Sequence, residues 1–87
     1  MAKIIKTNGS IIEVEPKNGT DFQLDEMREI IGGGYIEITQ TKNDKLMVVD
    51  EEGKLKGFEP NFSATEHHKY NDLIVGNVLI CEPNQIL

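Results

Sequence analysis

Apolar and polar positions alternate in two β-rich runs near the start of the chain, Lys3 to Thr7 and Ser10 to Glu15, separated by Asn8-Gly9. A two-residue Asn-Gly loop suits a type I′ turn, both of whose central residues need positive φ. Such a turn pairs Thr7 with Ser10, Lys6 with Ile11, Ile5 with Ile12 and Lys3 with Val14, so Ile5, Ile12 and Val14 are predicted to face the core. Pro16 lacks the amide hydrogen of a ladder residue and ends the hairpin. After a loop over 17–23, with Phe22 as its plug, Leu24, Met27, Ile30 and Ile31 fall at i, i+3, i+6 and i+7. That stripe predicts a helix over 24–31. Asp25 and Glu26 stand in its first turn, where the helix dipole favours negative charge. Gly32-Gly33-Gly34 stops it, with Gly32 or Gly33 expected at positive φ.

Tyr35 to Thr39 alternates strictly, with Ile36 and Ile38 on one face and Tyr35, Glu37 and Thr39 on the other. Lys45 to Asp50 is the next predicted strand, reached across Lys42-Asn43-Asp44. Asp50 to Lys54 reads as a hairpin loop with Gly53 at a left-handed position, and Lys54-Leu55-Lys56 as a short returning strand. Asn61 suits the N-cap of a short helix over 62–68, which Asn71-Asp72 ends. Leu73 to Cys81 supplies the last strand, kinked at Gly76-Asn77, and Glu82 to Leu87 forms a tail held by Ile86 and Leu87. The order is ββαβββαβ. It predicts an α+β fold with a small, mostly antiparallel sheet and two short helices packed on one of its faces.

Hydrophobic residues are 38% of the chain and aromatics 6%, with no Trp, so the core must be aliphatic. At 87 residues, the span 1–87 is expected to form a single domain, with a stability of about 4–13 kcal/mol. Domains this small gain stability by associating, so a homo-oligomer is expected. Fifteen acidic residues against nine basic ones leave a net charge of −6, and Arg28 is the only arginine. Without a Lys/Arg cluster to neutralise phosphates, no binding to nucleic acid is expected. The negative charge supplies solubility, or else attraction to a basic partner surface. Cys81 is the only cysteine. It therefore offers no intrachain disulfide and no Cys-based zinc site, and reads as a small buried hydrophobe. No signal-peptide-like stretch and no 18-residue apolar run is present, which points to a cytoplasmic protein that spans no membrane.

Few residues carry candidate chemistry. Phosphate-cradling glycines follow a strand and open a helix, whereas Gly32-Gly33-Gly34 follow a helix and open a strand. They read as a helix stop, with a close approach of Gly33 and Gly34 amides to a ligand as the alternative. His67 and His68 are adjacent and cannot chelate one metal together; they read as exposed helix residues. Ser63 or Thr65 with His67 is the only nucleophile–base candidate, and one short helix cannot hold a triad. No enzymatic activity, cofactor or metal is therefore expected. A two-residue Asn43-Asp44 turn would set Glu37 directly opposite Asp50, an unfavourable like-charge pair. Either the register differs or the pair faces a cation. Tyr35 and Glu37 share a face beside the glycines, which marks that face as a candidate binding surface.

Leu24-Asp25-Glu26-Met27-Arg28-Glu29-Ile30-Ile31-Gly32-Gly33-Gly34-Tyr35-Ile36-Glu37 resembles the helix–glycine–strand signature of the family called domain of unknown function 3846. Asp50-Glu51-Glu52-Gly53-Lys54-Leu55-Lys56-Gly57, followed by Asn61 and Ala64-Thr65, is similar to its central motif. Leu73-Ile74-Val75-Gly76-Asn77-Val78-Leu79-Ile80 resembles its closing strand. The third glycine departs from the usual pair. The resemblance implies a phage or mobile-element protein, which would act in the host cytoplasm, and it carries no catalytic residues. An accessory, counter-defence protein that sequesters a nucleotide-derived signal is the first expectation. In it Tyr35 stacks a base, Gly33 and Gly34 offer amides, Asn61 and Thr65 hydrogen-bond a ribose, and Lys54 and Lys56 meet phosphate. The alternative is an acidic inhibitor of a host protein, or a DNA mimic, with Asp21, Asp25, Glu26 and Glu29 around the first helix.

Overall fold

A computed structural model describes residues 2–70 and 72–86. The fold is α+β, with one five-stranded sheet in which every neighbouring pair is antiparallel. In chain order its elements are β1 (Ala2–Ile5), β2 (Ile11–Val14), α1 (Leu24–Ile31), β3 (Ile36–Gln40), β4 (Leu46–Asp50), α2 (Phe62–His67) and β5 (Val78–Cys81), followed by a 3₁₀ turn, Pro83–Gln85. Across the sheet the order is β2-β1-β5-β4-β3. Two hairpins thus lie side by side, joined by β5. Residues 51–57 form consecutive turns, so the expected hairpin loop and its returning strand Lys54-Leu55-Lys56 are absent; the left-handed glycine in this stretch is Gly57, not Gly53. Ile86 packs against the core as a tail anchor; Leu87, the other expected anchor, and Asn71, expected to help end α2, lie outside the described residues.

Both hairpins turn through three residues: one more than the Asn8-Gly9 loop expected in the first, and the expected Lys42-Asn43-Asp44 in the second. In the first, the Lys6 amide donates to Ser10 O at 2.9 Å and the Gly9 amide to Lys6 O at 2.9 Å. Only Gly9 takes positive φ, +89°. Asn8 Oδ1 accepts the Ser10 amide at 2.9 Å, which holds Asn8 within a type I turn followed by a left-handed glycine. The ladder therefore pairs Ala2 with Val14, Ile4 with Ile12 and Ile5 with Ile11. Ile4, not Ile5, shares a face with Ile12 and Val14. The second hairpin repeats the design: the Thr41 amide donates to Lys45 O at 2.9 Å, the Asp44 amide to Thr41 O at 3.2 Å, and Asp44 sits at φ +63°. Glu37 accordingly opposes Val49, and Asp50 opposes Ile36. The like-charge pair does not form.

The helices lie on opposite faces of the sheet, not on one. Val78, Leu79, Ile80 and Cys81 are all buried, the unbroken apolar run of a strand covered on both sides. On one face Ala2, Val48, Leu79 and Cys81 meet Met27 and Ile31 of α1, with Phe22 as the expected plug. On the other, Ile5, Met47, Val49, Val78 and Ile80 meet Ala64 of α2 and Ile74. Each fully buried aliphatic side chain contributes about 1.5–3 kcal/mol.

Helix α1 begins and ends where the apolar stripe does. Glu26 accepts the Gln23 amide at 2.9 Å and the Lys17 amide at 2.8 Å, tying the preceding loop to the helix start. Gly32, Gly33 and Gly34 have φ of +101°, +87° and +93°, and the amides of Gly32 and Gly33 both reach Arg28 O. Three left-handed residues in a row reverse the chain directly into β3. A side chain there would cost about 1–2 kcal/mol per residue.

Candidate functional site

A cleft of about 370 Å³ opens on the α2 side of the sheet, over β3 and β4. Alternation along β3 turns Glu37 and Thr39 into it. One wall is the segment that leaves α2, with His68, Tyr70 and Asp72; Glu51 and Lys54, from the turns after β4, form the rim. Glu37, Glu51 and Asp72 are three carboxylates facing one ammonium, that of Lys54. Asp50 also borders the cleft, but its buried carboxylate is engaged elsewhere, by Lys56 Nζ at 2.7 Å and the Glu52 amide at 2.8 Å. The cleft is therefore net acidic.

His68 fixes the wall to the floor. It is 4% exposed, its Nδ1 accepts the Asp72 amide at 3.2 Å, and its Nε2 lies 3.0 Å from Thr39 Oγ1. With Nδ1 acting as the acceptor, the neutral ring carries its proton on Nε2 and donates to Thr39. A ring in that tautomer has no lone pair with which to deprotonate the Thr39 hydroxyl, so the pair positions the wall and does not activate a nucleophile. Tyr70 packs edge-on to His68, with ring centroids 5.7 Å apart. Its own ring is largely exposed at the mouth of the cleft.

The eight residues singled out from the sequence fall into separate places. Glu37 and Lys54 line the cleft. Tyr35 is 62% exposed and stands beyond it. Gly33, Gly34 and Lys56 gather at the end of α1, where Lys56 Nζ reaches Asp50 and lies 3.4 Å from Gly33 O. There Lys56 is held by a carboxylate and a carbonyl. Asn61 is 1% exposed: its amide nitrogen donates to Ile5 O and Gly76 O, both at 2.9 Å, and its oxygen accepts the Ala64 amide at 3.0 Å. It caps α2 as expected and also clasps β1 to the turn at Gly76. Thr65 Oγ1 donates to Asn61 O at 2.8 Å and accepts the Ile74 amide at 2.9 Å. Asn61 and Thr65 thus direct their polar atoms inward.

Thr39, His68, Tyr70 and Asp72 were not singled out. His68 was read as an exposed helix residue; it lies just past the end of α2 and is buried, while His67 is half-buried. The parity that puts Thr39 beside Glu37 was present in the sequence. The return of residues 68–75 across the sheet rests on long-range bridges, Thr41 with His68 and Pro60 with Val75, which leave no local signal. Among the described residues, no group of three or more His, Cys, Asp or Glu is placed to hold a metal ion, and no helix is long and apolar enough to cross a membrane. Cys81 is buried, and burial pushes its thiol up to about 11.

These features define a small α+β domain with an acidic cleft walled on one side by residues that follow its second helix. The chain belongs to the family described as a domain of unknown function (DUF3846), whose family model matches residues 3–85. No curated protein and no solved structure matches it.

Proposed function

We propose that this chain is a non-enzymatic accessory protein of a phage or mobile element that acts in the host cytoplasm by binding a basic segment of a host protein. The observation that carries this reading is the sign of the cleft, where Glu37, Glu51 and Asp72 outnumber Lys54. A cation entering it meets carboxylates on both sides, and complementary charge raises the rate of encounter as well as orienting it. The reading follows the acidic-inhibitor expectation rather than the nucleotide one. Sequestration of a nucleotide-derived signal draws less support: Lys56 is already paired, Asn61 and Thr65 point inward, and phosphate in the cleft would face three carboxylates. A homo-oligomer formed through β2, where Ile11 and Ile12 are exposed, would leave the cleft open.

Calorimetry of the protein against lysine-rich and glutamate-rich peptides, with cyclic dinucleotides and ADP-ribose as further ligands, tests the reading. Salt-sensitive binding of the basic peptide, weakened in Glu37→Gln and Asp72→Asn, is the expected result. Binding of a nucleotide with no response to basic peptides would reverse it.

A further inference from the structure

We infer that the partner segment binds as an added strand along β3, with basic and apolar residues alternating. This rests on the acidic-cleft reading above and adds the manner of attachment. β3 is an edge strand, and its hydrogen-bonding direction follows from its ends. Tyr35 O accepts the Glu51 amide at 2.9 Å and the Thr41 amide donates to Lys45 O at 2.9 Å. Main-chain groups of an antiparallel strand alternate between its two sides. Residues 35, 37, 39 and 41 therefore turn theirs toward β4, and Ile36, Ile38 and Gln40 turn theirs outward.

The chain itself begins a sixth strand on this edge. His67 O accepts the Lys42 amide and the Lys69 amide donates to Gln40 O, both at 2.9 Å, with Thr41 and His68 opposite one another. After Lys69 this pairing ends, and Tyr70 and Asp72 line the cleft. The outward amides and carbonyls of Ile36 and Ile38 then have no main-chain partner among the described residues. Lysine, proline and bulges are among the devices that blunt native edge strands. The Ile36–Gln40 sequence, IEITQ, has neither of those residues, and its five-residue ladder to β4 is unbroken.

The side chains beside this edge specify the occupant. An added strand would direct alternate side chains to the α2 face, where Glu37 and the acidic cleft lie, and the others to the α1 face, where Ile36 packs on the core and Ile38 is 44% exposed. Lysine or arginine suits the first set and valine or isoleucine the second. A second copy pairing through β3 would instead bring two acidic clefts together on molecules that each carry −6. The other edge, β2, borders a slot lined by Lys6, Lys17, Glu15, Glu26 and Glu29; the Lys17 and Gln23 amides engage Glu26, which leaves two ammoniums against two carboxylates and a much weaker sign to select a partner.

The test is a titration of ¹⁵N-labelled protein with a short peptide alternating lysine and valine, alongside the same peptide N-methylated on the edge that would face β3. Amide shifts and exchange protection are expected at Ile36 and Ile38. N-methylation should weaken binding by about tenfold or more, because it removes ladder hydrogen bonds. Ile38→Pro removes only an outward amide and leaves the pairing to β4 intact; it should abolish the protection, while Ile38→Val retains it. Equal affinity of the methylated peptide, with shifts confined to Glu37, Thr39 and Asp72, would overturn strand addition and leave the acidic-cleft reading standing. Failure of both peptides would overturn the two together. Shifts at Ile36 and Ile38 that grow with protein concentration in the absence of peptide would assign the edge to a second copy and refute the proposal.

Discussion

Gly76→Ala should be among the most damaging single-methyl additions in this protein, for two separable reasons. Gly76 sits at φ +76°, and a Cβ built on it would lie 2.7 Å from Cδ2 of Phe58. The Phe58 ring is half-buried and would have to shift to admit it. It also faces Gly32, whose added Cβ would sit 3.5 Å from its Cζ, and Gly53, whose added Cβ would sit 3.4 Å from its Cδ2. The left-handed backbone costs an alanine about 1–2 kcal/mol, and overpacking against the ring adds about 1–3 kcal/mol. The sum, about 2–5 kcal/mol, is a large share of the stability of a domain this size and should lower Tm by roughly 10–30 °C. Gly33→Ala supplies the control, because Gly33 has φ +87° with nothing within 4 Å of its added Cβ, leaving only the backbone cost. Urea unfolding followed by circular dichroism, run on both variants and again in a Phe58→Ala background, separates the contributions. The excess cost at Gly76 should disappear when the ring is removed. Equal destabilisation by Gly76→Ala and Gly33→Ala would refute the account of Phe58 as a ring wedged among glycines.

Four further outcomes follow from the structure. Asn61→Ala leaves Ile5 O and Gly76 O without their buried donor and should cost about 2–4 kcal/mol, read as a lowered urea midpoint. Asp44→Gly relieves the only positive φ held by a non-glycine residue among those described and should raise stability by about 0.5–1 kcal/mol by the same measurement. Cys81 has its pKa raised from 9.0 to about 11, so above pH 9 the native state holds a proton that the unfolded state has released. Its contribution is complete below pH 9 and is lost as pH rises toward 11, up to about 2–3 kcal/mol, which denaturation midpoints across that range would display and Cys81→Ala would flatten. At pH 8 the same shift should slow alkylation of the native thiol about 100-fold relative to the unfolded chain.

Local chemistry made much of the fold legible in the sequence. Helix α1 was bounded to the residue because its apolar stripe and its glycine stop are both short-range signals. The strand alternation placed Glu37 and Thr39 on one face. Register was less legible, because it turns on the conformation of one residue: Asn8 in a right-handed rather than a left-handed state lengthens the loop by one and re-pairs the whole hairpin. The face taken by α2 was missed because an unbroken apolar strand such as β5 fits burial on either side. The wall of the cleft was the least visible part. His68 and Asp72 acquire their places through contacts with Thr39 and with each other that depend on the chain returning across the sheet. Asn61 was identified as a cap from its position, but its second role depends on Ile5, 56 residues away.

The order β2-β1-β5-β4-β3 also bears on how the protein is made. A ribosome delivers both hairpins long before residues 78–81, yet those residues occupy the middle of the sheet. Until they emerge, β1 and β4 each present a bare inner edge, flanked by Ile4, Ile5, Met47 and Val48. The nascent chain therefore holds two half-sheets that cannot close on one another. Completion is a late insertion rather than a stepwise growth, and the interval exposes apolar edges to neighbouring chains. During crowded synthesis, β5 of one molecule fits the gap in another as well as its own, so the swapped dimer is the misassembly this topology most readily produces.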